Sequence, residues 1–170
     1  MLINRPVTIL FAAVAFIPAA PAWSESKAAS LVPLHLQGQG AGTSTGAGGS
    51  ARGAAQTNLF GSTTFTLTFV NAKLLGDNGG GGTCSIESGD LQLTAGTQGA
   101  ITFSQVGTSC NVPNAPNNAN TLSATFLVTQ ATGQFQGVTG TGTLVVGFSS
   151  SAGAASALLT LNGILQPAAP

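Results

Sequence analysis

The chain has 170 residues, of which only 5% are charged, and its formal net charge is zero. Ordinary soluble domains carry about 25% charged residues. The chain's four Lys and Arg residues are too few to form the positive stripe that binds phosphates, which excludes nucleic acid as a partner. A surface this poor in charge must be solvated by Thr, Ser, Asn and Gln side chains.

Residues 1–24 are interpreted as a secretory signal peptide. Arg5 provides a positive start, Val7–Ile17 is an apolar run, and small residues precede the polar segment that follows. About eleven apolar residues are too few to span a bilayer, which takes about twenty, and no later stretch is long enough. Cleavage after Ala22 or Ser24 would leave a periplasmic or secreted protein with no membrane span; the alternative is an uncleaved anchor.

The rest of the chain predicts one all-β domain. Residues 25–62 are interpreted as an N-terminal strand and a flexible segment, and residues 63–170 as the main part of a β-barrel. Apolar side chains alternate with other residues in Val32–Leu36, which predicts the first strand. Gly38–Gly61 is rich in Gly, Ala and Ser and has no apolar period, so it is predicted to be a flexible loop.

Alternation with a period of two recurs along the remaining sequence and is typical of strands with one buried face. The predicted strands are Thr64–Val70, Ser85–Glu87, Leu91–Thr94, Ala100–Val106, Leu122–Thr129, Val138–Phe148 and Ala155–Leu165. Flexible connections are predicted at Gly76–Gly82 and Asn111–Asn120. This pattern predicts an antiparallel, closed β-barrel of about eight strands, with a β-sandwich as the alternative.

The cysteines Cys84 and Cys110 are predicted to form a disulfide, because export would place them in an oxidising compartment. The bond would tie two loop ends at one rim of the barrel, with two strands between the cysteines. Free buried thiols are the alternative. A metal site is not expected, because the single histidine of the sequence, His35, lies far from both cysteines. No cofactor is expected either.

The glycine-rich stretch Ala131–Phe148 could be a phosphate loop or a turn followed by a strand. Its spacing does not fit GxGxxG, and a strand rather than a helix follows it. Ala131–Gln134 is therefore predicted to be a turn. Gly140 and Gly142 are predicted to face inward, where a neighbouring side chain or a tight bend needs room.

The segment Val128–Leu144, VTQATGQFQGVTGTGTL, resembles the TGxFxGAxGxG hairpin of the allene oxide cyclase and dirigent-like barrels and of small exported bacterial proteins. Val138 stands where Ala is usual, and the matching residues are Thr132, Gly133, Phe135, Gly137, Gly140 and Gly142. The resemblance implies an eight-stranded antiparallel barrel with a central apolar cavity. Enzymes of that group place acidic or other polar groups in the cavity, and none of those positions matches here, so no catalytic residue is carried over.

Few side chains offer acid–base chemistry. His35 alternates with Leu34 and Leu36, so it is interpreted as a solvated strand residue, with a catalytic base as the alternative. Glu87 and Asp90 flank a turn-like Ser-Gly pair and are interpreted as the exposed tip of a hairpin rather than a paired-carboxylate site.

Two further patterns in the sequence have simpler interpretations than a binding site. Asp77, Asn78, Glu87 and Asp90 offer oxygen ligands for calcium, but their spacing fits no known calcium loop. Threonine rows on two of the predicted strands resemble ice-binding surfaces, but the strand propensity of threonine explains them more simply.

Three functions are compatible with the sequence. The first is an exported, non-catalytic barrel with a small apolar ligand in its interior. The second is a pilin-like surface subunit, in which Val32–Leu36 completes a neighbour's sheet. The third is a cyclase or isomerase, which would need Glu87, Asp90 or His35 inside the barrel. The sequence does not predict the oligomeric state.

Overall fold

The computed structural model describes residues 30–45, 47–77, 81–111, 119–151 and 154–168. The predicted signal peptide lies outside these residues, as do most of the predicted Asn111–Asn120 connection and residues 78–80 of the Gly76–Gly82 connection. The strands are β1 (Val32–Thr45), β2 (Gly48–Thr57), β3 (Gly61–Asp77), β4 (Thr83–Thr94), β5 (Ala100–Asn111), β6 (Asn120–Ala131), β7 (Thr139–Ser151) and β8 (Ala154–Gln166). Short 3-10 helices lie at Gly96–Gln98 and Gly133–Phe135.

The eight strands form a closed antiparallel barrel in chain order. Each strand pairs with its sequence neighbours, and β1 closes the barrel by pairing with β8 as well as β2. The predicted barrel is thus confirmed and the alternative sandwich is not formed. We call the end with the β3–β4 and β5–β6 connections the cystine end, because Cys84 and Cys110 lie there. The opposite end, with the β6–β7 connection, is the hairpin end.

Apolar side chains from all eight strands meet inside the barrel as one cluster. The predicted alternation explains this, because every second side chain of a strand faces the same side of the sheet. In the middle of the cluster, Phe103 and Phe126 pack edge to face with ring centroids 5.0 Å apart. Other buried members, one from each remaining strand, are Leu34, Ala51, Phe65, Leu91, Leu144 and Leu161.

The prediction of a flexible loop at Gly38–Gly61 is wrong for most of its length, because β1 continues to Thr45 and β2 begins at Gly48. Small residues are present because the two strands and their neighbours pack tightly. A Cβ at Gly40 would lie 2.8 Å from the Gly53 Cα, and one at Gly38 would lie 3.2 Å from the Phe65 ring. Close packing requires small residues at these positions. The same residues interrupt the alternation of apolar side chains by which a strand is recognised in the sequence.

The prediction of two strands at Ser85–Glu87 and Leu91–Thr94, with a turn between them, is also wrong. A single strand, β4, runs through the whole region and pairs with β3 and β5. Gly89 lies within this strand, where a Cβ would approach the Phe69 Cα to 2.7 Å. The glycine that resembles a turn signal therefore accommodates the neighbouring strand.

The turn and packing predictions for the glycine-rich hairpin are confirmed. The chain turns at Gly133–Phe135 after β6, and Gly133 has a φ of 63°. Gly140 and Gly142 face closely packed neighbours, since added Cβ atoms would lie 2.7 Å from Leu165 Cδ2 and 2.6 Å from Phe126 Cζ respectively.

The predicted disulfide between Cys84 and Cys110 is present, and their Cα atoms are 4.1 Å apart. The cysteines are directly opposite each other on neighbouring strands β4 and β5, which are the two strands that the chain forms between them. Each cysteine precedes or follows a side chain that faces inward, Ser85 or Ser109, which places the bond on the outer side of the sheet. The disulfide therefore fastens β4 to β5 at the cystine end, at the pair of residues farthest from the turn that joins these two strands.

Among the described residues, no helix has the length and hydropathy needed to cross a membrane.

Candidate functional site

A group of polar side chains occupies the inner face of the barrel towards the cystine end. Glu87 of β4 and Gln105 of β5 are each only 1% exposed, and Ser109 of β5 is 3% exposed. Strand alternation places them there, because Glu87 has the same parity as buried Leu91 and Gln105 has the same parity as buried Phe103. The inner wall thus changes from apolar to polar along the same two strands.

Strand register brings Glu87 and Gln105 into the same region of this wall. Glu87 is opposite Gly107, and Gln105 is opposite Gly89. Glu87 and Gln105 are therefore diagonal neighbours across β4 and β5, and diagonal positions are about 7–8 Å apart, within the reach of long side chains. Neither intervening glycine adds a side chain to separate them. We call Glu87, Gln105 and Ser109 the buried polar cluster.

The hydroxyl of Ser109 links this cluster to β6. Its Oγ donates a hydrogen bond to Asn120 Oδ1 at 2.5 Å, and it is near enough to the Glu87 carboxyl to lower the pKa of that group by hydrogen bonding. A serine hydroxyl has one proton to donate. That proton can therefore be donated to Asn120 or to an ionised Glu87 carboxylate, but not to both at once.

The environment of Glu87 favours the neutral form of its carboxyl. Burial raises the pKa of the Glu87 carboxyl above its ordinary value of 4.5, and the hydrogen bond with Ser109 offsets the rise only in part. Taking a carboxylate out of water is costly unless a charge or several donors compensate. Protonation of Glu87 avoids that cost.

The buried polar cluster has more hydrogen-bonding capacity than its neighbours use. Glu87 Oε2 and both Gln105 amide atoms, Oε1 and Nε2, are buried and have no hydrogen-bond partner among the described residues. Each such atom costs about 1–3 kcal/mol relative to a satisfied one. Buried polar groups in folded proteins are nearly always paired, so this group is suited to receive a polar molecule.

A cleft of about 470 Å³ opens at the cystine end above the cluster. Its described lining consists mainly of amide and hydroxyl side chains, and Lys73 is the only charged residue among those described. The neutral polar members are Thr45, Asn71, Thr83, Ser85, Ser109, Asn111 and Asn120. The Asn111 side chain is fixed in place because its Oδ1 accepts from the Thr83 backbone N–H. Ser109 belongs both to this lining and to the buried polar cluster, so it connects the cleft with Glu87.

The other sequence-derived candidates lie elsewhere. His35 is exposed on the outer face of β1, as predicted, and its Nδ1 is 2.7 Å from Asn162 Oδ1. Asp90 is exposed on the outer face of β4, where it accepts a hydrogen bond from Ser104 Oγ at 2.8 Å. The prediction that Glu87 shares an exposed hairpin tip with Asp90 is wrong, because the two side chains face opposite sides of the same strand.

The calcium ligands considered from the sequence do not form one group. Asn78 lies outside the described residues, and Glu87 is inside the barrel while Asp90 is outside it. Within the part of the chain that the structure describes, no three His, Cys, Asp or Glu side chains are close enough to hold a metal ion.

Sequence analysis missed Gln105 and Ser109. The alternation of side chains along the predicted strand could have identified Gln105. Ile101 and Phe103 face inward, and Gln105 is the next residue at the same spacing of two, so it is expected to face inward as well. A polar residue at an inward position of a predicted strand is a candidate for a buried site.

Comparisons with known proteins identified no matching protein-family model, no similar curated protein and no similar solved structure.

Proposed function

We propose that this protein is an exported, non-catalytic β-barrel that binds a small, neutral, hydrogen-bonding molecule at its cystine end. The observation that carries the proposal is the pair of buried side chains with unused hydrogen-bonding atoms, Glu87 and Gln105. A polar ligand in the barrel would satisfy atoms that are otherwise desolvated without compensation. The adjoining cleft of about 470 Å³ provides a place for the rest of such a ligand.

The apolar part of the interior is less suited to a ligand than the sequence suggested. Side chains from all eight strands form one apolar cluster there, including the edge-to-face pair Phe103 and Phe126. An eight-stranded barrel has an interior that side chains alone can fill. The proposed ligand is accordingly polar at its recognised end and not a purely apolar molecule.

Export is supported by two features. The first 24 residues have the composition of a signal peptide. The disulfide between Cys84 and Cys110 is compatible with an oxidising compartment, such as the periplasm or the medium.

The closed barrel weakens the alternative of a pilin-like subunit. Donor-strand addition needs an open sheet edge to complete. In the described barrel, β1 is paired with both β2 and β8, and Val32–Leu36 is part of that pairing. The segment considered as a donor already completes its own barrel.

A cyclase or isomerase is a second candidate, and one observation favours it: Glu87 lies inside the barrel with a pKa raised by burial. A carboxyl group whose pKa is raised is better able to serve as a general acid. Among the described residues, Glu87 is the only buried acid or base, so no second buried group is present beside it to act as its catalytic partner. The resemblance of the Val128–Leu144 hairpin to the allene oxide cyclase and dirigent-like barrels agrees with a barrel but assigns no role to Glu87.

The proposed binding function can be tested by NMR of the ¹⁵N-labelled protein. Three panels of small molecules are added in turn: neutral polar compounds, apolar compounds and ions. We expect neutral polar compounds to shift the backbone amide signals of Ser85, Gly107 and Ser109. Signals at the hairpin end, such as that of Gly133, serve as an internal control. Shifts produced only by apolar compounds, or confined to the hairpin end, would contradict the proposal.

The buried carboxyl predicts how stability depends on pH. Because the pKa of Glu87 is raised in the folded protein, the folded chain binds more protons than the unfolded chain above about pH 4.5. The contribution of Glu87 to the free energy of unfolding therefore falls as pH rises from that value through the folded-state pKa. Glu87→Gln should remove this fall and stabilise the ligand-free protein by about 1–2 kcal/mol at pH 7.

Urea unfolding of the wild type and Glu87→Gln between pH 4.5 and 7.5 measures this effect. Asp90→Asn is the matched control, since Asp90 lies on the outer face of the same strand; it should keep the wild-type pH dependence. If the free energy of unfolding depends on pH in Glu87→Gln as it does in the wild type, the prediction is contradicted. The Glu87 carboxyl would then be as well solvated in the folded chain as in the unfolded chain.

A further inference from the structure

Building on the proposed binding function, we infer that the ligand presents a planar group with a hydrogen-bond donor and an acceptor side by side, as a carboxamide, lactam or urea does. The inference rests on Gln105, whose Oε1 and Nε2 are both buried and both without a partner. Two amide groups facing each other can form two parallel N–H···O hydrogen bonds. A group of this class satisfies the whole Gln105 side chain at once.

This requirement does not depend on how the Gln105 amide is oriented. The side-chain oxygen and nitrogen exchange places when the amide is rotated by half a turn. Since both atoms are unpartnered, either orientation offers one donor and one acceptor to the ligand. An ester offers acceptors only, so it would leave Gln105 Oε1 unpaired inside the barrel.

The charges around the cluster disfavour an ionic group at this position. The described basic side chains Arg52 and Lys73 are both exposed, so a carboxylate at Gln105 would be buried without a counter-charge. A ligand ammonium would require an ionised Glu87, and burial works against that ionisation. A neutral group avoids both costs, and Glu87 Oε2 remains available for one additional hydrogen bond to it.

The position of Gln105 also sets the direction from which the ligand enters. Gln105 is four residues from Ser109 on β5, about 13 Å along the strand, and Ser109 lines the cleft. At the other end of the barrel, Phe60 and Phe135 pack with ring centroids 5.0 Å apart and contact the apolar cluster. The amide-like group therefore enters first from the cystine end, and the rest of an elongated ligand occupies the cleft.

Titration calorimetry with three probes of equal size tests the inference: hexanamide, methyl pentanoate and hexanoate. We expect the wild-type protein to bind hexanamide at least about tenfold more tightly than the ester or the anion, because the last two lack the paired donor and acceptor. Gln105→Met, which keeps the side-chain length, should abolish the preference. Gln105→Leu is the second variant, and Gln92→Leu, exposed on the outer face of β4, is the control that should retain it.

The possible results separate this inference from the proposed function. A preference that survives in both Gln105 variants would mean that the ligand does not contact Gln105 and would overturn both the inference and the proposed function. Equal binding of the three probes would overturn only the amide inference and leave ligand binding at the cystine end standing. Binding of another neutral polar compound, such as a polyol, with none of hexanamide would do the same. If no neutral polar compound binds the wild type at all, the proposed function fails together with the inference.

Discussion

Replacing both Cys84 and Cys110 by alanine is expected to lower the free energy of unfolding by about 2–5 kcal/mol while the barrel remains closed. The bond joins residues 26 positions apart, and the chain-entropy model gives about 3.5 kcal/mol for a loop of that size. The fold should survive because the disulfide lies at one end of β4 and β5. The remaining register of that strand pair extends from Ser85 and Ser109 to Thr94 and Ala100.

Urea unfolding of the double variant and of the wild type, each with and without reductant, measures this effect. Reductant should destabilise the wild type by the same amount and leave the double variant unchanged. Equal unfolding midpoints for the oxidised wild type and the double variant would contradict the prediction. So would two reactive thiols per chain in the exported protein under denaturing, non-reducing conditions.

Gly142→Ala is expected to have the second largest effect, a loss of up to about 3 kcal/mol. Gly142 pairs with Gly163, and the Phe126 ring packs over both glycines. An added Cβ at Gly142 would lie 2.6 Å from Phe126 Cζ and would also press on the Asn162 backbone carbonyl. The ring could move only by disturbing its edge-to-face contact with Phe103.

Gly147→Ala is the matched control, because Gly147 is on the same strand and a Cβ there would meet no heavy atom within 4 Å. Its stability should stay within about 0.5 kcal/mol of the wild type, as judged by thermal unfolding of the two variants in parallel. Similar losses in both variants would mean that glycine content in β7, rather than the space beneath Phe126, determines the effect.

The fold could be predicted largely from the alternation of apolar side chains. Strand β3 and strand β8 show it clearly, because Phe or Leu occupies successive inward positions, Phe65, Leu67 and Phe69 in β3 and Leu159 and Leu161 in β8. Strand β2 does not, since its inward positions include Ala51, Gly53 and Ala55. Small side chains are needed where strands pack closely inside a narrow barrel, and their composition is the same as that of a flexible loop.

The candidate site was harder to predict than the fold. Glu87 stands next to Ser88 and Gly89, residues that usually favour turns, so the local sequence suggested exposure. Its burial depends on β3 passing close to Gly89, a tertiary contact that no local pattern reveals. Gln105 was detectable from its inward parity, but its lack of hydrogen-bond partners depends on which side chains the barrel brings near it.

The central claim is that the cystine end binds a small neutral molecule. The most direct test is native mass spectrometry of the protein recovered from the periplasm and medium of its own cells. We expect one small-molecule adduct per chain in the wild type and in Asp90→Asn, and its loss in Gln105→Met. The wild type recovered without any adduct, or an adduct that persists unchanged in Gln105→Met, would contradict the claim.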